Sequence, residues 1–163
     1  MTMATEHTNH QEHRAAPIAV IDVLNGLLEP TVNSVFRFMD EGSPYLSRAS
    51  AEVRKPLAAM VQTVHRRAAE LAYMIQQLGG TPIAPAISGE EQYLAFLSLK
   101  FLLPKLVHDK QLAIERYENA LRALKGAPAE VVALVRSHLE EHQQQLRTLE
   151  EASARVTGIA ARA

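Results

Sequence analysis

The sequence contains no cysteine and no tryptophan, and aromatic residues make up only 5% of its 163 residues. Because thiols are absent, disulfide bonds, thiolate metal sites and cysteine-based catalysis are excluded. Glycine is also scarce, with seven residues. Alanine, leucine, glutamate, glutamine and arginine are abundant instead, and this mixture favours helices. The length suits a single domain with a sizeable core.

An excess of charge of either sign is missing too, with 17 basic and 18 acidic residues. This balance gives no electrostatic reason to expect nucleic acid or an anionic membrane as a partner. The most apolar stretch, residues 93–107, is interrupted by Lys100, Pro104 and Lys105 and is too short to cross a bilayer. Residues 1–16 are polar and lack the apolar core of a signal peptide. We therefore expect a soluble, cytoplasmic protein.

The clearest helical pattern lies in the middle of the chain. Its apolar stripe, with spacings that alternate between three and four residues, consists of Leu57, Val61, Val64, Ala68, Leu71, Ile75 and Leu78. This second predicted helix begins between residues 44 and 56 and ends at Leu78. Gly79 can supply a left-handed cap there, and Pro82 prevents the helix from resuming.

A first helix is predicted before it, over residues 17–40, with its apolar residues on one stripe. Pro30 lies inside this helix, and we expect a kinked but continuous helix at that point. Residues 1–16 are expected to form a disordered tail. That tail carries histidines at every third position, His7, His10 and His13, which could bind a transition metal if the segment became helical.

Two more helices are predicted after the second. The third starts at a capping box formed by Ser88 and Glu91, bends at Pro104 and ends near residue 125. A short turn at residues 126–128 leads into the fourth helix, which ends near Val156, so that residues 157–163 form a C-terminal tail.

The connections before the second and fourth helices are short, whereas the connection between the second and third helices is long. A long middle connection favours a crossover over a tight hairpin. The predicted fold is therefore an all-α four-helix bundle over residues 17–156.

Four groups of residues occur in a characteristic order along the chain. They are Leu24-Asn25 with Glu29 and Phe36; Leu71 and Ile75 with Leu78-Gly79-Gly80-Thr81-Pro82; Ala113-Ile114 with Tyr117; and His142 with Leu146. In this order and spacing, residues 18–153 resemble the ferritin-like superfamily of bacterioferritins, rubrerythrins and their smaller bacterial relatives. The resemblance implies a ferritin-like bundle with a long crossover between its second and third helices.

Active members of that superfamily hold two metal ions in the bundle core. The ligands are one glutamate on each of two helices and a Glu-x-x-His pair on each of the other two. Carried over to this sequence, the ligand positions are Glu29, Val64 with Arg67, Lys110, and Leu139 with His142. Only Glu29 and His142 are of the residue type that the resemblance implies. A bundle that has largely lost its di-iron site is therefore expected.

The residues at these positions predict a charged layer in the core, formed by Glu29, Arg67, Lys110 and His142. Two cations at this level would repel a divalent metal ion, so no dinuclear redox centre is expected. One interpretation is an internal salt bridge from Glu29 to Arg67 or Lys110, because buried charges are normally paired. Another is an anion pocket formed by Arg67 and Lys110. In the third, the long basic side chains reach solvent.

A second possible metal site lies on the fourth predicted helix. The run from His138 to His142 matches H-x-x-E-H, and two histidines four residues apart share a helix face. With Glu141 they could hold zinc or iron, although no third ligand of the protease type follows. No cofactor is expected otherwise.

The run of residues 93–103 is apolar on more than one face of its predicted helix. A single bundle covers only one face, so we expect a homodimer to cover the rest. The predicted function is that of a non-catalytic ferritin-like protein with a structural or interaction-mediating role. The alternatives are a metal-binding, iron-handling ferritin-like protein and a small-anion-binding module.

Overall fold

The structure is a computed structural model that describes residues 7–41, 51–83, 86 and 98–162. Within these ranges the chain forms helices and no strands. The five helices are α1 (His7–Val32), α2 (Val35–Glu41), α3 (Ala51–Gln77), α4 (Leu99–Ala123) and α5 (Ala129–Arg162). Helices α1 and α2 together take the place of the first predicted helix, and α3, α4 and α5 correspond to the other three. The expected all-α bundle is therefore confirmed. None of the helices in the described part of the chain combines the length and apolarity needed to cross a bilayer.

The helices α4 and α5 are antiparallel neighbours. Lys110 contacts His142 and Tyr117 contacts His138, so residue numbers rise along one helix as they fall along the other. The turn between them has Gly126 with a φ of +81°, a left-handed conformation that glycine adopts at little cost. The predicted short turn is therefore present.

The helices α3 and α5 are antiparallel as well, because Arg67 contacts Gln145 while Glu70 contacts His138. Since α3 and α4 both run against α5, they run in the same direction. The end of α3 at Gln77 and the start of α4 at Leu99 therefore lie at opposite ends of the bundle. This confirms the predicted crossover between the second and third helices of the bundle.

The end of α3 is set by two glycines. Gly79 has a φ of +80°, and its N–H donates to the carbonyl of Gln76 at 3.0 Å. The N–H of Gly80 donates to the carbonyl of Ile75 at 2.9 Å. These two bonds define a Schellman cap, so the predicted left-handed stop is confirmed. A Cβ at Gly80 would lie 2.8 Å from the side chain of Ile21, so glycine also permits α1 to approach.

The first helix differs from the prediction in two ways. It begins at His7 rather than at residue 17, because residues 7–16 contain no glycine or proline that would prevent a helix. It continues through Pro30 and is interrupted at residues 33–34 instead. The hydroxyl of Ser34 accepts a hydrogen bond from the N–H of Phe36 at 3.4 Å, so Ser34 caps α2 and accounts for the position of the break.

At the other end of the chain, α5 continues to Arg162, beyond the predicted end near Val156. Among the residues of α5 whose side chains are described, Val156 is the last that packs against the core, although the helix itself continues. Nothing in residues 157–162 stops a helix except the single Gly158. The predicted capping box of Ser88 and Glu91, and the predicted turn after residue 41, lie outside the described residues.

The buried apolar residues form two clusters at different heights in the bundle. One cluster contains Phe36, Val53, Leu57, Met60, Val61, Val64, Leu99, Leu102, Leu103, Leu106, Leu149 and Ala152. The other contains Leu24, Leu27, Leu28, Leu71, Ile75, Tyr117, Ala120, Leu124, Val131, Val135 and Leu139. Along α3, Arg67 lies between the last residue of the first cluster and the first residue of the second, so a polar level divides the core.

We expect the variant Gly79→Ala to lower the free energy of unfolding by about 1 kcal/mol, because an alanine at a φ of +80° is strained. Gly26→Ala is the matched control, since Gly26 lies inside α1 and its added Cβ meets nothing within 4 Å. That control should be neutral or stabilising by about 0.5 kcal/mol. Urea unfolding at constant pH measures both, and equal destabilisation by the two substitutions would contradict the role of the cap.

Candidate functional site

The polar level contains five buried side chains from three helices, which we call the polar layer. Arg67 comes from α3, Lys110 and Tyr117 come from α4, and His138 and His142 come from α5. Arg67 is 0% exposed and Lys110 is 1% exposed. Buried cations are costly unless their charges and donors are paired, so the contacts of each decide what the layer can do.

Arg67 is held by α5. Its Nε donates to Glu141 at 3.1 Å, and its Nη2 donates to Gln145 at 3.0 Å. The same carboxylate of Glu141 accepts two bonds from Nη2 of Arg66, at 2.6 and 2.7 Å. One glutamate on the rim of the bundle therefore contacts both a buried guanidinium and an exposed one, and Glu70 also pairs with the exposed one. The pKa of Glu141 lies below its usual value, because hydrogen bonds from Arg66 and charge from Arg67 outweigh its partial burial.

A chain of hydrogen bonds runs from the core to the surface through His138. Its Nε2 lies 2.6 Å from Oε2 of Glu70, and its Nδ1 lies 3.1 Å from the hydroxyl of Tyr117. The carboxylate of Glu70 also accepts from Arg66 at 2.9 Å. Bonds from His138 and Arg66 lower the pKa of Glu70 against the opposing effect of burial. Because this carboxylate can only accept, Nε2 of His138 carries the proton and its Nδ1 accepts from Tyr117.

Lys110 has no carboxylate within hydrogen-bond distance among the described residues. Its Nζ lies 3.4 Å from Nδ1 of His142 and 4.3 Å from the centre of the Phe36 ring. The imidazole of His142 also packs on Tyr117, with 4.9 Å between the ring centres. An imidazole nitrogen and an aromatic face are weak substitutes for an anion, so the charged form of this lysine is poorly stabilised.

Burial changes the protonation of the layer. Burial, with the charge of Arg67 nearby, lowers the pKa of Lys110 to about 7. Burial and the charge of Lys110 also hold the pKa of His142 far below its usual value, so His142 is neutral. Burial raises the pKa of Tyr117 to about 12, which keeps the phenol protonated. The layer therefore holds one permanent cation, one marginal cation and two imidazoles whose pKa values burial lowers.

Glu29 does not belong to this layer. Its side chain is exposed, so the predicted salt bridge from Glu29 to Arg67 or Lys110 is wrong. The inward-facing residues of α1 near the layer are Leu27 and Leu28, which are 3% and 4% exposed. Glu29 follows them directly and points away, because successive helix residues are about 100° apart. The carboxylate that balances Arg67 comes from Glu141 instead.

The side of the layer that faces α1 has a different acid. The hydroxyl of Ser34 donates to Oδ2 of Asp109 at 3.0 Å, which links the break between α1 and α2 to α4. Burial raises the pKa of Asp109 against the opposing effects of Ser34 and Lys110. Thr31, one turn before Ser34, donates to the carbonyl of Leu27 at 2.7 Å.

The predicted metal ligands His138, Glu141 and His142 do not converge on one point. Nε2 of His138 is directed at Glu70, whereas the carboxylate of Glu141 is directed at the two arginines. Within the described ranges, no three His, Asp or Glu side chains lie close enough to share a metal ion. The predicted three-residue site is therefore wrong. The histidines His7, His10 and His13 belong to the first two turns of α1.

A dinuclear metal centre does not fit the residues of the polar layer. The three inward positions where the resemblance implies ligands on the second and third helices hold Val64, Arg67 and Lys110, all buried. An apolar side chain and two cationic ones offer no carboxylate oxygen to a hard divalent metal. The carboxylates at the rim, Glu70 and Glu141, already bind arginine or histidine.

Several residues of this site were not singled out from the sequence. Glu70 and Gln145 lie at the rim, where helical periodicity does not distinguish them from other polar residues. The spacing of Arg66 and Glu70, four residues apart on one helix, was a signal for that ion pair. Nothing in the sequence indicated that Ser34 and Asp109 meet, because they are 75 residues apart.

Solved structures with a similar fold include proteins with di-iron sites. A ferritin-like, diiron-carboxylate protein from Bacillus anthracis is 18% identical, with a TM-score of 0.66 over 85% of this chain and 97% of that chain. The bacterioferritin of Desulfovibrio desulfuricans, whose di-iron site was solved in different catalytic states, is 17% identical, with a TM-score of 0.67 over 88% of this chain and 83% of that chain. No family model and no curated protein matches the sequence. The fold is therefore ferritin-like.

We expect Glu141→Gln to lower the free energy of unfolding by about 1–3 kcal/mol, because it leaves the charge of Arg67 buried without a carboxylate. Glu140→Gln is the matched control, since Glu140 precedes it on the same helix and is exposed. That substitution should change stability by less than about 0.5 kcal/mol. Chemical unfolding of both variants tests the pair, and equal effects would show that Arg67 does not depend on Glu141.

We also expect stability to rise with pH above 7 because of Lys110. The pKa of Lys110 is about 7 in the folded protein and 10.5 without these contacts, which is the value for the unfolded state. Between pH 7 and 10.5 the unfolded state therefore binds more protons than the folded state. The free energy of unfolding should therefore rise by up to about 1.4 kcal/mol per pH unit over this window.

The matched variant is Lys110→Met, which keeps an unbranched side chain over Phe36 but does not titrate. Its free energy of unfolding should lack this rise, and the difference between the two proteins between pH 7.5 and 9.5 isolates the contribution of Lys110. Parallel curves for the two proteins would mean that Lys110 stays protonated in the folded state.

Proposed function

We propose that this protein is a non-catalytic ferritin-like bundle in which hydrogen-bonded side chains take the place of a dinuclear metal centre. Its role is structural or interaction-mediating, and no oxidase or hydrolase chemistry is assigned to it. The carrying observation is the burial of Arg67 and Lys110, at 0% and 1% exposure, in the middle of the core. These are the positions at which the ferritin-like resemblance implies ligands on the second and third helices.

The network around Arg67 supports this proposal because it links helices in the way that bridging ligands would. Arg67 of α3 binds Glu141 and Gln145 of α5, and Glu70 of α3 binds His138 of α5. The contact between Tyr117 and His138 adds α4 to the same network. Three helices are therefore connected at one level by side chains alone.

The alternative of an iron-handling protein has less support. It requires carboxylates that are free to bind metal, whereas those at the rim accept short bonds from arginine and histidine. Binding a metal would require breaking these pairs and leaving Arg67 buried without its partner, which is costly.

We also propose that the protein is a homodimer in which the start of α4 contributes to the interface. Phe101 is 65% exposed, although Leu99, Leu102 and Leu103 beside it are buried. Because the sequence of residues 93–103 is apolar on more than one face of a helix, we take this exposed ring as the place where a second copy covers the rest. Light scattering should give twice the chain mass of 18.0 kDa, and a monomer at micromolar concentration would contradict the proposal.

Metal uptake tests the main proposal. Protein purified without a histidine tag should contain only substoichiometric iron and zinc, and aerobic addition of ferrous iron should give no absorption band of an oxidised di-iron centre. A bacterioferritin treated in the same way is the positive control. Two iron ions per chain with rapid oxidation would refute the proposal.

A matched pair of variants tests whether the buried lysine is the obstacle to metal binding. Lys110→Glu places a carboxylate in the layer near His142, whereas Lys105→Glu makes the same charge change at an exposed site on the same helix. Zinc should bind more tightly to the first variant than to the second, measured by calorimetry after circular dichroism shows that both are folded. Equal affinities would show that Lys110 does not decide metal binding.

A further inference from the structure

A small pocket opens beside the polar layer, between α1, α4 and the inner side of α3 and α5. Its lining consists of Leu27, Pro30, Thr31, Ser34, Val64, Arg67, Asp109, Ala113, Arg116, Tyr117 and His142. The cavity measures about 20 Å³, which is enough to admit a water-sized group. The space therefore suits a ligand of one or a few atoms.

Two buried polar atoms of residues that line the pocket have no hydrogen-bond partner among the described residues. They are Nη1 of Arg67 and Nε2 of His142. Buried polar atoms in folded proteins are nearly always paired, so two unpaired atoms of residues on one cavity indicate a ligand. Both atoms belong to side chains that are more than nine-tenths buried, with exposures of 0% and 6%.

Both atoms are donors. An arginine N–H can only donate. Nδ1 of His142 lies 3.4 Å from Nζ of Lys110, and an ammonium group also can only donate. With Lys110 in its ammonium form, Nδ1 of His142 therefore accepts, and the ring proton lies on Nε2. Two unpaired donors call for a ligand that accepts hydrogen bonds.

The charges around the pocket favour an anion over a neutral acceptor. Arg67 is a buried residue of the lining and Arg116 is an exposed one. One cation therefore lies inside the pocket, and a second lies on the side that is open to solvent. Asp109 is the opposing group, but its carboxylate already accepts from Ser34.

We infer that this pocket binds a small monovalent anion of halide or formate size, which accepts hydrogen bonds from Nη1 of Arg67 and Nε2 of His142. Lys110 contributes charge behind the imidazole, and Arg116 attracts the anion at the entrance. The inference rests on the proposed function in one respect, because both take Arg67 as a resident cation of the layer. The inference goes beyond the proposed function because it names a ligand that a structural role does not need.

Bromide locates the site directly. Crystals soaked in sodium bromide should show an anomalous peak in the pocket, within hydrogen-bond distance of Arg67 and His142. The absence of a peak there, or a peak only elsewhere on the surface, would overturn the inference.

Thermal unfolding in solution gives a second, independent measurement. The Tm in sodium chloride should be about 3 °C higher than in sodium gluconate at the same ionic strength, because only the smaller anion enters the pocket. This difference should saturate as the salt concentration rises.

Arg116→Gln should weaken the apparent chloride affinity about 3–10-fold, by loss of one nearby charge. Arg122→Gln is the matched control, since Arg122 is exposed on the same helix, binds Asn119 and does not line the pocket.

Asp109→Asn should tighten chloride binding, because it removes the one carboxylate of the pocket lining. Identical chloride responses in the wild type and all three variants would contradict the inference. The two proposals are tested by different measurements. Iron uptake would refute the proposed function, whereas a lack of chloride binding would refute only the anion site.

Discussion

The structure depends on one constraint, which is that the guanidinium of Arg67 lies at the centre of the bundle and needs an anion. A fully buried positive charge without a partner would cost several kcal/mol. Glu141 supplies that partner, and its position on α5 determines which faces of α3 and α5 meet. A shift of α5 along α3 by one turn would separate Glu141 from Arg67 and leave a buried charge unpaired.

The fold and the site carry different information. The backbone is similar to proteins described as di-iron carboxylate proteins, at 17–18% identity. A shared fold does not imply a shared activity, because the chemistry resides in particular side chains. At and beside the positions where the resemblance implies metal ligands, this chain has Arg67, Lys110 and two imidazoles. The proposal of a role without metal therefore rests on the site and not on the fold.

Most of the architecture could be predicted from the sequence, and the reasons are local. The apolar stripe of α3 determines which face is buried. The resemblance places Arg67 at an inward ligand position three residues after Val64, and its side chain is buried there. The left-handed stop at Gly79 follows from the glycine pair and Pro82. Such features depend only on neighbours in the chain.

The partners within the site could not be predicted in the same way. Glu29 carried the right residue type but lies one position past the buried pair Leu27 and Leu28, and a shift of one residue turns a helix position by about 100°. Which rim acid reaches Arg67 depends on how α3 and α5 are aligned. That alignment is a property of the packed bundle, and no spacing within a single helix determines it.

The bond from Arg67 to Glu141 has a consequence for how the protein is made. A bundle whose helices are joined by a bound ion must wait for that ion before its centre is complete. Here both halves of the link are encoded in the polypeptide, so they are present as soon as synthesis has passed residue 141. On the proposed function, a newly made chain therefore completes this link without waiting for iron.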